Sequence, residues 1–135
     1  MTVKTKTKSF GPVFASSDGT QTVLYSDATL DRSSHPPDGT PIDMLLASLA
    51  YCMVRSVEWA AKDQGAALQP FSVKVLGAKA PNQPGRIEVM TVTLIGDLVD
   101  DPTTARQIIK MAKAICTVSN TLNCEVIVAM EPNNA

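Results

Sequence analysis

The sequence LLASLAYCMVRSVEW, residues 45–59, is apolar around most of a helical circumference. Together with its flanks it predicts one long helix from about Ile42 to about Asp63. Pro41 is well placed at the start of this helix, and Gly65 follows its end. A helix that is apolar on nearly all sides belongs at the centre of a domain, where several neighbours cover it.

The segments around this helix predict a sheet and a second helix. Five strands are predicted, in VKTKTKSF, QTVLYSD, FSVKVLGAKA, RIEVMTVTLIGDL and CEVIVAM. The second helix is DPTTARQIIKMAKAICTV, with Asp101 or Thr103 as its cap. The order ββ-α-ββ-α-β predicts a single α+β domain over residues 1–135, with one mainly antiparallel sheet packed on two helices. Because so small a sheet leaves part of the central helix bare, we expect a homodimer.

Composition narrows the class of protein. The 135 residues are 44% hydrophobic and 19% charged, with a net charge of −1, which is typical of a globular domain. The absence of a basic, aromatic-studded patch argues against nucleic acid as a partner. No signal peptide opens the chain and no apolar run is long enough to cross a membrane, so we expect a cytoplasmic protein with no membrane partner. Cysteines in such a compartment are free or redox-active more often than structural.

Cys52 and Arg55 interrupt the apolar run of the central helix, although an unpaired buried charge is costly. Serines lie one turn before and one turn after Cys52, so this stripe of the helix is small and polar. Two interpretations remain open. The stripe can line a pocket in which Arg55 or another cation favours the reactive thiolate. Alternatively, Cys52 is inert packing, and Arg55 pairs with Glu58 or Glu88.

The remaining chemistry-bearing residues give weak signals. Cys116 lies near the C-terminal end of the second helix, where the helix dipole disfavours a thiolate. Cys124 begins a strand and is interpreted as structural, and His35 precedes two prolines in a loop. No group of Cys and His has the spacing of metal ligands and no Gly-rich phosphate loop is present, so the sequence gives no signal for a metal or a bound cofactor.

Two segments together resemble the OsmC/Ohr family of thiol-dependent hydroperoxide reductases. They are GTPIDMLLASLAYC, residues 39–52, and IIKMAKAICTVSNTL, residues 108–122. The spacing from Pro41 to Cys52 (52 − 41 = 11) fits the family pattern, and the order of elements extends the resemblance over most of the chain. The resemblance implies an intertwined homodimer with two long central helices.

The resemblance also implies an activity, that of a peroxidase acting in oxidative stress. Cys52 would be the peroxidatic cysteine, whose thiolate attacks an organic hydroperoxide and becomes a sulfenic acid. Cys116 would be the resolving cysteine that forms a disulfide with it, and an external dithiol would reduce that disulfide. An apolar pocket beside Met44, Leu49 and Met53 would favour organic hydroperoxides over hydrogen peroxide.

Two further residues take roles by resemblance. The family's thiolate-holding arginine precedes the proline by nine residues, which is Arg32 here (41 − 9 = 32). Asp43 would orient that arginine. From the residues themselves, Arg32 is equally well a solvated loop charge, and Asp43 an acid favoured by the helix dipole.

The chain also departs from the family pattern at three places. Ile42 stands where Glu is frequent, Thr117 where Pro is usual and Tyr51 where a small residue is common. These differences bear on the activity more than on the fold. The alternative function is a non-enzymatic small-molecule-binding or redox-sensing protein, since a fold does not fix a function.

Overall fold

The computed structural model describes residues 9–37, 39–82 and 85–132, which contain five strands and three helices. Their order confirms the predicted ββ-α-ββ-α-β arrangement and adds one short helix. Most of the predicted first strand lies in residues 3–8, outside the described residues. The elements are β1 Ser9–Ser17, β2 Val23–Ser26, α1 Pro41–Asp63, β3 Phe71–Lys79, β4 Ile87–Ile95, α2 Pro102–Ile115, α3 Thr117–Thr121 and β5 Glu125–Glu131.

The strands form one sheet in the order β2-β1-β3-β4-β5. All neighbouring strands are antiparallel except β4 and β5, which are parallel. Because side chains alternate between the faces of a strand, Phe71, Val73 and Val75 all point to one face, where they are buried. Helix α1 packs against β1 and β3 on this face, which confirms the predicted α+β fold.

Helix α1 begins within one residue of its predicted start and ends at the predicted residue, Asp63. Thr40 caps it: the Thr40 hydroxyl accepts the backbone N–H of Asp43, and Pro41 occupies the first turn, where its missing N–H costs nothing. After Gln64 the chain turns at Gly65, whose φ of +66° suits glycine. The buried positions of the helix are Leu46, Ala47, Leu49, Ala50, Met53, Val54, Ser56, Val57, Ala60 and Ala61.

One face of α1 remains uncovered within the chain. Met44, Tyr51 and Trp59 keep 60%, 40% and 56% of their surface exposed. The sheet and α2 cover the other sides, so a single chain leaves part of this helix bare, as the small size of the sheet predicts. In the described part of the chain, no helix has the length and apolarity needed to span a membrane.

Helix α2 differs from its predicted extent. Asp101 caps its start by accepting the N–H groups of Thr103 and Thr104. The helix ends at Ile115 rather than continuing through residue 118, because Cys116 has an extended backbone with φ −68° and ψ 103°. Cys116 thereby becomes both the C-cap of α2 and the N-cap of the short α3. Ile108 and Ala112 of α2 are buried in the hydrophobic core that this helix shares with α1 and the sheet.

Candidate active site

The packing of α1 against α2 brings two thiols together. Cys52 is half-buried in the middle of α1, and Cys116 is fully buried at the end of α2. The Cys116 thiol lies next to that of Cys52 and to the hydroxyl of Ser56, and both groups influence its pKa. Two cysteines that are far apart in the sequence therefore form one site.

Burial raises the pKa of the Cys116 thiol to about 11. The Cys52 thiol acts in the same direction, whereas the Ser56 hydroxyl opposes it. The backbone N–H of Ser119 also opposes it, although it does not complete a side-chain cap. Cys116 is consequently a thiol at neutral pH, and its S–H is available as a donor to a Cys52 thiolate.

An open cavity of about 350 Å³ lies beside the thiol pair. Trp59 and Ile115, both substantially exposed, give this cavity an apolar wall. The predicted lining was different: Leu49 and Met53 are fully buried in the core. The complete lining is Cys52, Arg55, Ser56, Trp59, Ile115 and Thr117.

Sequence reasoning missed Trp59 and Ile115 as pocket residues. Trp59 lies seven residues after Cys52, two helical turns along the same face, so periodicity contained a signal for it. Helical periodicity places Ile115 on the apolar side of α2, and it is exposed because that helix ends at this residue.

Arg55 has defined partners. Its Nη1 donates to Glu58 Oε1 at 2.6 Å and its Nε donates to the Tyr51 hydroxyl at 3.3 Å. Its Cζ lies 5.1 Å from the centroid of the Tyr51 ring, whose edge meets Tyr25 at a centroid distance of 6.0 Å. Hydrogen bonding to Glu58 raises the pKa of Arg55 further. Of the carboxylates considered from the sequence, Glu58 is therefore the partner.

Arg32 lies elsewhere in this structure. It is exposed and lines a separate cavity of about 330 Å³ where β1 ends and β3 begins. Ser16 and Ser72, whose hydroxyls are 2.8 Å apart, line the same cavity. Within one chain, Arg32 and Cys52 thus line different cavities.

Asp43 is engaged at the start of α1. Its carboxylate accepts the Thr40 hydroxyl at 3.0 Å, while the Thr40 oxygen accepts the Asp43 backbone N–H. This reciprocal pair satisfies groups that helix termini otherwise leave open. These contacts of Asp43 are those of a helix cap.

Cys124, the third cysteine, lies outside the cavity beside Cys52. Cys124 is half-buried just before β5, and burial raises its pKa while the charge of Arg86 opposes the shift. Among the residues that the structure describes, no group of His, Cys, Asp and Glu is arranged to hold a metal ion.

The fold and site define an α+β protein with a pair of thiols between its two main helices. A family model for OsmC-like protein matches residues 34–131. A comparison with curated protein sequences finds no significant match. The chain belongs to the OsmC-like protein family.

Solved structures share the fold at low identity. An OsmC-like protein from Mycoplasma pneumoniae is 13% identical, with 98% of this chain and 100% of that chain covered and a TM-score of 0.60. The organic hydroperoxide resistance protein OhrB of Bacillus subtilis is 17% identical, with 96% and 100% covered and a TM-score of 0.55. An organic hydroperoxide resistance protein OsmC from Legionella pneumophila is 13% identical, with 96% and 99% covered and a TM-score of 0.59.

Proposed function

We propose that this protein is a thiol-dependent peroxidase that reduces organic hydroperoxides in the cytoplasm. The observation that carries the proposal is the contact between the Cys52 and Cys116 thiols beside an apolar-walled cavity. The names of two structural neighbours, both organic hydroperoxide resistance proteins, support the same class of substrate.

The reaction divides into three balanced steps. The Cys52 thiolate attacks one oxygen of the peroxide, the O–O bond breaks, and the departing alkoxide takes a proton to leave as an alcohol. The Cys116 sulfur then attacks the sulfur of the Cys52 sulfenic acid, forming a disulfide and releasing water. An external dithiol finally reduces that disulfide by thiol–disulfide exchange and is itself oxidised. None of these steps requires a metal or a bound cofactor.

The cavity favours a substrate with an apolar group. Trp59 and Ile115 offer exposed apolar surface next to Cys52, and covering such surface on binding is favourable. Hydrogen peroxide has no group that can use this wall. We therefore propose alkyl or aryl hydroperoxides as the preferred substrates.

A homodimer is part of the proposal. The exposed side chains of Met44 and Tyr51 lie on one face of α1, and a second copy would bury them. The predicted roles of Arg32 and Asp43 remain predictions. Arg32 would have to reach Cys52 by rearrangement of its loop or from the second copy, and Asp43 would have to leave its contact with Thr40.

The decisive experiment mixes reduced protein with cumene hydroperoxide and a dithiol and follows peroxide loss together with the masses of the cysteine peptides. We expect multiple turnover and a transient Cys52–Cys116 disulfide. Cys52→Ser should abolish turnover, whereas the matched control Cys124→Ser should retain it. Turnover at the wild-type rate by Cys52→Ser would refute the assignment of the nucleophile.

The second candidate function is a redox sensor. It is favoured by the burial of Cys116, which keeps this residue protonated and slows its attack on an oxidised Cys52. With dithiol present, a sensor would turn over only as fast as the dithiol reduces oxidised Cys52 directly, without a Cys52–Cys116 disulfide, so the same experiment separates the two functions.

A further inference from the structure

The guanidinium of Arg55 lines the same cavity as Cys52, and the proposed chemistry leaves it without a role. We propose that Arg55 stabilises the Cys52 thiolate, and that Glu58 and Tyr51 hold Arg55 in position. The inference deepens the proposed function at the same site and rests on it for its biological purpose. Its test measures the reactivity of Cys52 directly and therefore does not require peroxidase turnover.

The first support is position along the helix. Arg55 follows Cys52 by three residues, so the two side chains project from neighbouring positions on one face. Arg55 lies about 4.5 Å further along the helix axis than Cys52, whereas Glu58 lies about 9 Å further. Along the helix axis Arg55 is consequently the nearer of the two charged residues to Cys52, it lines the same cavity, and an adjacent cation favours the thiolate.

The second support is hydrogen-bonding capacity. The Nε and Nη1 atoms of Arg55 each have a protein partner, in Tyr51 and Glu58. The Nη2 atom has no partner within residues 9–37, 39–82 and 85–132. A guanidinium can donate five N–H groups, so Arg55 retains donors for an anion in the cavity.

The third support is the way in which Arg55 is held. Its side chain is 41% exposed, whereas that of its partner Glu58 is 17% exposed. Glu58 Oε2 is buried with no hydrogen-bond partner in the described part of the chain. Glu58 thus anchors the arginine from the inner side, and the Tyr51 ring supports it by a cation–π contact. These contacts keep the guanidinium along the helix instead of extended into solvent.

The test is the rate at which iodoacetamide alkylates Cys52 at neutral pH, read from the mass of the Cys52 peptide of the reduced full-length protein. Arg55→Met should slow this alkylation several-fold, up to about tenfold, because the thiolate, which is the reactive form, loses the cation beside it. Glu58→Gln should accelerate it, because it removes the negative charge that offsets Arg55. A purely structural role would move both variants in the same direction.

Two control variants test whether the effect on Cys52 depends on the position and the charge of Arg55. Lys62→Met removes a positive charge from the last turn of the same helix and should leave the alkylation rate unchanged. Arg55→Lys should retain part of the wild-type rate. The proposal is overturned if folded Arg55→Met reacts at the wild-type rate, if Glu58→Gln is slowed as well, or if Arg32→Met slows the reaction while Arg55→Met does not. Loss of peroxide turnover with the expected alkylation pattern would refute the proposed peroxidase and leave the role of Arg55 intact.

Discussion

The Cys116 thiol contacts the Cys52 thiol, although the two residues lie 64 positions apart (116 − 52 = 64). The contact depends on the break between α2 and α3, because Cys116 has the extended backbone of a cap there. A residue at such a break is tied to two helices at once. The position of its thiol is therefore set by the packing of the core rather than by a mobile loop.

Removal of the resolving thiol should stop the cycle after its first step. Cys116→Ser is expected to consume about one equivalent of cumene hydroperoxide and to accumulate a Cys52 sulfenic acid. The measurement is a quench in dimedone followed by the mass of the Cys52 peptide. Cys124→Ser is the matched control and should turn over normally. Sustained turnover by Cys116→Ser would show that another thiol resolves Cys52.

The raised pKa of Cys116 gives a dependence of stability on pH. Its ordinary pKa is 9.0 and its folded value is about 11, so between these values the folded state binds more protons than the unfolded state. The contribution of the protonated Cys116 thiol to the free energy of unfolding is therefore fully present below pH 9 and is lost as the pH rises towards about 11.

Urea unfolding of the reduced protein at about pH 8 and about pH 10.5 measures this dependence. The free energy of unfolding should fall less between the two conditions in Cys116→Ser than in the wild type. Lysine and tyrosine titrations are common to both proteins, so the difference isolates Cys116. Equal losses in the two proteins would contradict the assignment.

The cap of α1 should contribute to stability rather than to the reactivity of Cys52. Thr40→Ala is expected to lower the free energy of unfolding by about 1 kcal/mol, because it removes the acceptor for the Asp43 N–H. Asp43→Asn should lower it by about 0.5 kcal/mol through loss of a negative charge at the helix N-terminus. Both variants should alkylate Cys52 at the wild-type rate. If only Asp43→Asn slows alkylation, the predicted role of Asp43 in orienting Arg32 gains support.

The exposed face of α1 should determine the oligomeric state. Met44→Glu places a charge on this face without altering the lining of the Cys52 cavity, and it should shift the protein from dimer to monomer. Sedimentation equilibrium of the wild type and the variant measures the change. Lys113→Glu, which makes the same change of charge at an exposed position of α2, is the control. A wild-type protein that sediments as a monomer would refute the proposed dimer.

The fold was largely predictable because its signals are local. The apolar run of residues 45–59 predicted α1, and Pro41 and Gly65 marked its ends. Alternation predicted the faces of β3, with Val73 and Val75 buried as expected. The end of α2 before Cys116 was not predicted, because no Pro or Gly marks it; the low helix propensity of Thr117 and Val118 was the one local signal.

The site was predictable in part. The resemblance associated Cys52 with Cys116, and the structure puts their thiols in contact. Whether they react as proposed remains a prediction. The sequence left the partner of Arg55 open between two glutamates, because helical spacing favours Glu58 but does not exclude a contact from another strand. The position of Arg32 depends on a loop with several prolines, and the conformation of such a loop has no periodic signature.

The parallel pairing of β4 and β5 has a consequence for thermal stability. Because these two neighbouring strands are parallel, the chain between them must return from one end of the sheet to the other. Helices α2 and α3 form this crossover, and Cys116 lies between them. A disulfide from Cys116 to Cys52 would close a covalent ring containing half of α1, β3, β4 and α2. Such a ring restricts the unfolded chain and, by loop entropy, is worth about 4 kcal/mol. The melting temperature would then rise when the disulfide forms and fall when it is reduced. Calorimetry would therefore measure the fraction of the protein that carries the disulfide.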